Sequence, residues 1–129
     1  MSEGAVKRKV LLVDDEPSLV KIIGKVLELA GFEVSTAIDG QQALDQLPVI
    51  RPDVMILDLM LPRVNGFDVL KRMKQDPQWR AIPVLIFTAR GRGSEDETLC
   101  KDLGATAFFS KTEPAQTIVA YIKQLLGAP

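Results

Sequence analysis

Val54-Met55-Ile56-Leu57-Asp58-Leu59-Met60-Leu61-Pro62 lies near the middle of the chain and decides how the rest is read. Its first four residues are apolar without a break, the mark of a strand buried on both faces. The run then delivers a carboxylate, Asp58, where that strand should end, and Pro62 and Asn65-Gly66 follow as loop punctuation. A charge at the carboxyl end of a central strand has no packing reason to be there. Asp58 is therefore a candidate nucleophile, with the other unusual residues arranged to serve it.

On either side of this stretch, apolar runs alternate with helical patterns, five times in all. Val10 to Val13 is a buried strand closed by Asp14-Asp15-Glu16-Pro17, and Pro17 suits the first turn of a helix. Leu19, Ile22, Ile23, Val26, Leu27 and Ala30 share one face of that helix, which Gly31 stops. Glu33 to Ala37 is a second, more polar strand. Asp39 and Gln42 form a capping box that opens a helix through Leu47, stopped by Pro48. After the central strand, Phe67, Leu70 and Met73 mark a third helix, capped by Asn65 and ending near Asp76-Pro77. Pro83 to Phe87 is a fourth apolar strand running into Thr88-Ala89-Arg90, and Gly91-Arg92-Gly93 reads as a flexible loop. Ser94 and Glu97 make another capping box, before a helix with only Leu99, Cys100 and Leu103 as an apolar face. Thr106 to Phe109 is a short fifth strand ending at Ser110-Lys111, and Glu113-Pro114 opens a last helix carrying Ile118, Tyr121, Ile122 and Leu125.

Five strands alternating with five helices predict an α/β fold, a parallel sheet with helices on both faces. The wholly apolar first, third and fourth strands belong in the centre, and the mixed second and fifth at the edges. The flavodoxin-like order 2-1-3-4-5 satisfies both conditions, and ligands in such sheets bind at the carboxyl ends of the strands, near the switch between strands 1 and 3. Asp14, Asp15 and Asp58 fall there, with Thr88 and Lys111 at the ends of strands 4 and 5.

The composition leaves room for this and little else. At 129 residues, the chain is one domain over 1–129 with a core from about 8 to 126. With 47% hydrophobic and 26% charged residues it is an ordinary globular chain. Net charge −1 gives no support for a direct nucleic-acid or anionic-membrane binder. No apolar run approaches a membrane span, the start lacks a secretory pattern, and the single cysteine, Cys100, fits a reducing compartment. The chain is expected to be cytoplasmic. The absence of histidine removes His-based triads, His metal sites and phosphohistidine relays.

Three carboxylates converging on one crevice repel one another, and a divalent cation relieves that repulsion. An all-oxygen site with room for water suits Mg²⁺ or Mn²⁺. Lys111 adds a movable positive charge and Thr88 a hydroxyl. A metal, an ammonium and a hydroxyl around a carboxylate are what phosphoryl transfer to that carboxylate requires. No general base is needed, because a carboxylate is already ionised at neutral pH.

The chain resembles a response-regulator receiver domain of two-component signalling over nearly its whole length. The matching residues are Val13-Asp14-Asp15-Glu16-Pro17, Leu57-Asp58-Leu59-Met60-Leu61-Pro62 with Gly66, Phe87-Thr88-Ala89, and Ser110-Lys111. Each motif is weak alone; together, in order at strand ends, they are specific. The resemblance implies that Asp58 is the phosphoacceptor. It makes Asp15, Asp58 and the Met60 backbone carbonyl direct metal ligands, with Asp14 acting through water. It turns the Thr88 hydroxyl to the phosphoryl group and makes Phe108 an aromatic that changes rotamer in response. It implies a signalling switch rather than an enzyme, catalysing only its own phosphorylation and dephosphorylation. A histidine kinase or His-containing phosphotransfer protein would be the donor. A downstream protein would read the face of helix 4, strand 5 and helix 5, where a homodimer is also conceivable.

One departure stands out. The family usually has proline, held cis, directly after the lysine, and here the residue is Thr112. A cis bond before a non-proline costs about 2.5–4 kcal/mol, so a trans peptide is expected, with Lys111 or the start of the last helix displaced. Plainer readings stay open beside the sharp ones. Asp14 and Asp15 suit a helix N-cap, Lys111 could pair with Asp102 or Glu113, and Phe108 and Cys100 could be core. Trp79 reads as a partly exposed loop anchor, and the apolar stripe of the last helix as core.

The alternative functions are a pseudo-receiver that binds partners without phosphorylation, which Thr112 motivates, and an aspartyl-phosphate phosphatase. Met60 stands where such a phosphatase would carry a second Asp, which argues against it. The anionic strand-1 loop argues against a flavin carrier. The chain ends at Gly127-Ala128-Pro129 without an effector domain, which leaves open a stand-alone regulator or a piece of something longer, and neither the kinase nor the output is named by any residue.

Overall fold

The computed structural model describes residues 7–89 and 93–127. Ten elements alternate along the chain: β1 (Lys9–Val13), α1 (Pro17–Leu29), β2 (Glu33–Ala37), α2 (Gly40–Ile50), β3 (Val54–Leu57), α3 (Gly66–Gln75), β4 (Val84–Thr88), α4 (Glu95–Asp102), β5 (Ala107–Ser110) and α5 (Ala115–Leu126). The five strands form one sheet in the order β2-β1-β3-β4-β5, and every neighbouring pair is parallel. This is the flavodoxin-like arrangement expected from the apolar runs.

Alternate residues of a strand face opposite sides of a sheet, and here both sides are covered. Leu11, Val13, Met55, Leu57, Val84 and Ile86 point into one core, closed by Ala43 and Leu47 of α2, Val69, Leu70 and Met73 of α3, and Cys100 of α4. Val10, Leu12, Val54, Ile56, Leu85 and Phe87 point into the other, closed by Ile23 and Leu27 of α1 and Ile118, Val119 and Ile122 of α5. That double burial is why β1, β3 and β4 carry no alternation. At the two edges, β2 is only partly buried, while Phe108 and Phe109 of β5 divide between the two cores.

Some local expectations shift. Pro48 does not stop α2, which continues to Ile50. The ring removes one N–H, but a single further turn closes with Arg51 N–H donating to the Leu47 carbonyl at 2.9 Å, and Arg51 takes a left-handed φ of 51° as the cap. Ile22 is 60% exposed rather than on the buried face of α1, since one position off the Ile23–Leu27 seam turns a side chain by about 100°. Asp39 does cap α2, accepting from Gln42 N–H at 2.7 Å, while the Gln42 amide oxygen reaches back to Ile38 N–H. Asn65 likewise caps α3 through Asp68 N–H. The α4 box is only half made: Glu97 accepts from Gly93 N–H, but Ser94 makes no side-chain cap, and among the described residues its buried Oγ has no partner. The loop expectation at Gly91 and Arg92 lies outside the described residues, as does Arg90.

Trp79 is half-buried against the first core, with the Arg51 guanidinium 5.7 Å from its ring centre. Cys100 is fully buried, and burial, aided by nearby Asp96, pushes its thiol up to about 11, so it stays a neutral core residue at neutral pH.

Candidate functional site

The strands end together at one edge of the sheet. The register aligns Val13 of β1 with Leu57 of β3, so Asp14 and Asp58 are the next residues of adjacent strands. Asp58 N–H donates to the Val13 carbonyl and Asp14 N–H to the Ala37 carbonyl, both at 3.0 Å, which extends the ladder by one residue under each carboxylate. Asp14 and Asp58 are buried and Asp15 is exposed, and carboxylate oxygens of all three lie within 4.8 Å of one another.

Lys111 enters from the end of β5. Its backbone N–H donates to the Thr88 carbonyl at 2.7 Å, and its ammonium reaches Asp14 Oδ2 at 2.8 Å and Asp58 Oδ2 at 3.0 Å. Glu16 Oε1 joins at 3.3 Å. Burial alone would pull the ammonium down, but its hydrogen bonds to Asp14 and Asp58 and their charges outweigh it and raise its pKa above the ordinary 10.5. The expected alternatives for Lys111, Asp102 and Glu113, are not its partners. Nor is Lys111 displaced by Thr112: among the described residues there is no cis peptide, and the ammonium still sits between the carboxylates. The last helix starts at Ala115 with Pro114 as its cap residue.

Asp14 accepts from Glu16 N–H at 2.9 Å as well as from Lys111. Burial nonetheless raises its pKa above 3.8, with the Asp58 charge adding to the rise and the hydrogen bonds opposing it. A carboxyl held high in the fold favours the protonated form, so its stabilising contribution is present below 3.8 and lost as pH rises through its folded value. Asp14→Asn, melted in chelator at neutral pH, is therefore expected to unfold at a higher temperature than the wild type. The gap should close as pH falls toward 3.8. An unchanged or lowered melting temperature at neutral pH would contradict this.

The loop after β3 is folded tightly on the site. Met60 N–H donates to Asp58 Oδ1 at 3.3 Å, and Leu61 and Gly66 N–H both donate to the Leu59 carbonyl. A Cβ on Gly66 would land on the Asp58 carbonyl oxygen and Leu59 Cα. Because both obstacles are backbone, Gly66→Ala should destabilise the fold by about 2 kcal/mol or more in urea titration, and any relaxation must move Asp58. A variant as stable as the wild type would contradict that close approach.

Thr88 pairs with Ser110 across β4 and β5, two residues beyond Ile86 and Phe108. Ile86 and Phe108 belong to the first core, so Thr88 is on that same face of the sheet. Thr88 is fully buried, and among the described residues its Oγ1 has no hydrogen-bond partner. An unmet buried hydroxyl costs about 1–3 kcal/mol, which a protein retains for a reason. Phe108 is 3% exposed within the first core, two residue pairs back from Thr88. Met60 is exposed at the rim. Glu16 and the Ser110–Glu113 turn also touch the site; Glu16 lies in the Asp14-Asp15-Glu16-Pro17 motif, but nothing in the sequence marks it as a partner of Lys111.

A family model described as the response regulator receiver domain matches residues 10–123. The chain belongs to that family. The Escherichia coli transcriptional regulatory protein CpxR is 41% identical over 118 residues, 92% of this chain and 49% of its own length. The Bacillus subtilis alkaline phosphatase synthesis transcriptional regulatory protein PhoP is 36% identical, over 94% of this chain and 49% of its own length. This receiver spans about half the length of these curated relatives. Among solved structures, the chemotaxis response regulator CheY4 of Vibrio cholerae matches with a TM-score of 0.85 and 32% identity, covering 92% of this chain and 98% of its own. The signal receiver domain of a DNA-binding response regulator from Colwellia psychrerythraea has a TM-score of 0.87 and 26% identity, covering 94% and 99%. Among the described residues, no helix of this receiver is long and apolar enough to cross a membrane.

Proposed function

We propose that this receiver accepts a phosphoryl group on Asp58 from a phosphohistidine of a kinase or phosphotransfer partner. The observation that carries the reading is Lys111, whose ammonium lies 2.8 Å from Asp14 and 3.0 Å from Asp58. A cation held there meets the charge an acyl phosphate would bring. The buried, unpartnered Thr88 Oγ1 supplies a donor for a phosphoryl oxygen. A carboxylate oxygen of Asp58 attacks phosphorus, the phosphorus–nitrogen bond of the donor breaks, and its imidazole leaves with that electron pair.

The donor set fits a hard divalent cation such as Mg²⁺ or Mn²⁺: three carboxylates within 4.8 Å, all oxygen, one exposed to water. Asp15 and Asp58 would hold it directly with the Met60 carbonyl, and Asp14 through water. When bound, such an ion neutralises charge on the phosphoryl oxygens. Glu16 and Lys111 flank the same crevice and set how much positive charge it tolerates.

The switch would be read at α4, β5 and α5, where Leu99 and Leu125 are partly exposed and α4 offers one fully buried side chain, Cys100. Such an element is easily shifted. Most of the α5 stripe, Ile118, Val119 and Ile122, is core. The output would pass to a protein partner or a second copy; with net charge −1, the receiver itself lacks the basic footprint of a nucleic-acid binder. The pseudo-receiver reading rested on Thr112, and Lys111 reaches the carboxylates regardless. To test the proposal, the chain is incubated with Mg²⁺ and a small acyl phosphate, weighed intact, and the modified peptide mapped after reductive trapping. A phosphoryl adduct on Asp58 is expected; no adduct with or without a kinase would overturn the reading.

A further inference from the structure

Between β5 and α5 the chain makes a turn whose polar groups bond to one another. Ser110 N–H donates to Glu113 Oε2 at 2.7 Å, and Glu113 N–H donates back to the Ser110 carbonyl at 3.0 Å. Inside that reciprocal pair, Ser110 Oγ lies 2.8 Å from Thr112 Oγ1 and accepts from Thr112 N–H at 3.2 Å. Residues 110 and 112 are thus tied to each other by two contacts that pass over Lys111. Lys111 N–H is itself fixed to the Thr88 carbonyl. The backbone of Lys111 is held on three sides, while its side chain is the one part that leaves the turn, toward Asp14 and Asp58.

The burial pattern supports a purpose beyond closing a loop. Ser110 is buried and Thr112 is exposed, so the hydroxyl of an outer residue serves a buried one. A solvated Thr has no need of that contact. Lysine is long and rotamer-rich, and ordering its ammonium in one place is easier when its own backbone cannot move.

We propose that the Ser110–Thr112 hydroxyl clasp is a positioning device that seats the Lys111 ammonium between Asp14 and Asp58, with Thr112 as its outer jaw. This rests on the reading of Asp58 as phosphoacceptor for its kinetic consequence, but not for its geometry. Thr112→Val removes the hydroxyl at an exposed position with little change of shape. It should slow adduct formation on Asp58 about fivefold, the worth of one net hydrogen bond. Thr112→Ser should restore the wild-type rate. In a Lys111→Ala background, Thr112→Val should add nothing, because the residue it acts through is gone.

Carbon-13 relaxation of the lysine terminal methylenes supplies a readout independent of phosphorylation. In the metal-free wild type, Lys111 should be markedly more ordered than the exposed Lys21. Thr112→Val should lower that order by a measurable step without bringing it to the level of Lys21, because the contacts to Asp14 and Asp58 remain, and Thr112→Ser should not. Unchanged Lys111 order and adduct rate in Thr112→Val would overturn the clasp, as would an effect that persists undiminished in Lys111→Ala. If the wild type forms no adduct while Lys111 order still depends on the Thr112 hydroxyl, the clasp stands and the reading of Asp58 fails.

Discussion

Asp58→Asn is expected to take up no phosphoryl group from an acyl phosphate under conditions where the wild type is modified to a substantial fraction. An amide at this position keeps the shape, but it has one acceptor oxygen where the carboxylate uses two, Oδ1 toward Met60 N–H and Oδ2 toward Lys111, and that oxygen is a poor nucleophile at neutral pH. No neighbouring group can replace it in place. Asp14 is committed to Glu16 N–H and Lys111, and Asp15 is exposed at the rim. Because Asn removes one of three crowded carboxylates, the variant should also be at least as stable as the wild type in chelator, so lost modification cannot be laid to unfolding. Intact mass and a thermal melt on the same sample check both halves. A residual adduct mapped to Asp14 or Asp15 would show that the crevice tolerates a different acceptor, and would sink the assignment to Asp58.

Much of this could be read from the chain because buried strands leave an unambiguous trace. Val10–Val13, Val54–Leu57 and Val84–Phe87 are apolar at every position, which puts them in the centre of the sheet, and the flavodoxin-like order 2-1-3-4-5 meets that condition. The order then placed Asp14, Asp58, Thr88 and Lys111 at one edge before any distance was known. Other features depend on tertiary context. Pro48 looked like a stop, yet α2 needs only one more closing bond, and Arg51 accepts the left-handed conformation that ends it. Ser94 looked like a capping side chain, but its hydroxyl makes no cap hydrogen bond. Thr112 suggested that Lys111 would be out of place. Three side chains, Ser110, Thr112 and Glu113, instead fix that turn through contacts between residues two and three apart. Such contacts have no periodicity, and a reading built on spacing passes over them.

Lys111→Ala should have the second largest effect, and in two separable ways. Without the ammonium, the charge developing on a phosphoryl group at Asp58 loses its fixed counter-charge. Removing one such preorganised donor typically costs about 10²–10³-fold in rate, and a comparable fall in adduct formation is expected at a saturating divalent cation. The fold also suffers. Asp14 and Asp58, with side chains only 2% and 5% exposed, would face each other unpaired, and breaking a buried ion pair on one side costs about 3 kcal/mol or more. The two effects respond differently to conditions. Lys111 is held above its ordinary 10.5, so its stabilising contribution is present below that value and lost as pH rises through the folded one. The stability gap between wild type and variant should therefore narrow at alkaline pH. A divalent cation should narrow it at neutral pH, by supplying the crevice with the charge the variant lacks. The rate deficit should survive saturation with the cation, because a cation held by the carboxylates does not occupy the position of the ammonium. A variant that folds as well as the wild type in chelator would show that the ammonium is dispensable to the crevice. One modified at the wild-type rate would show that it does not meet the phosphoryl charge.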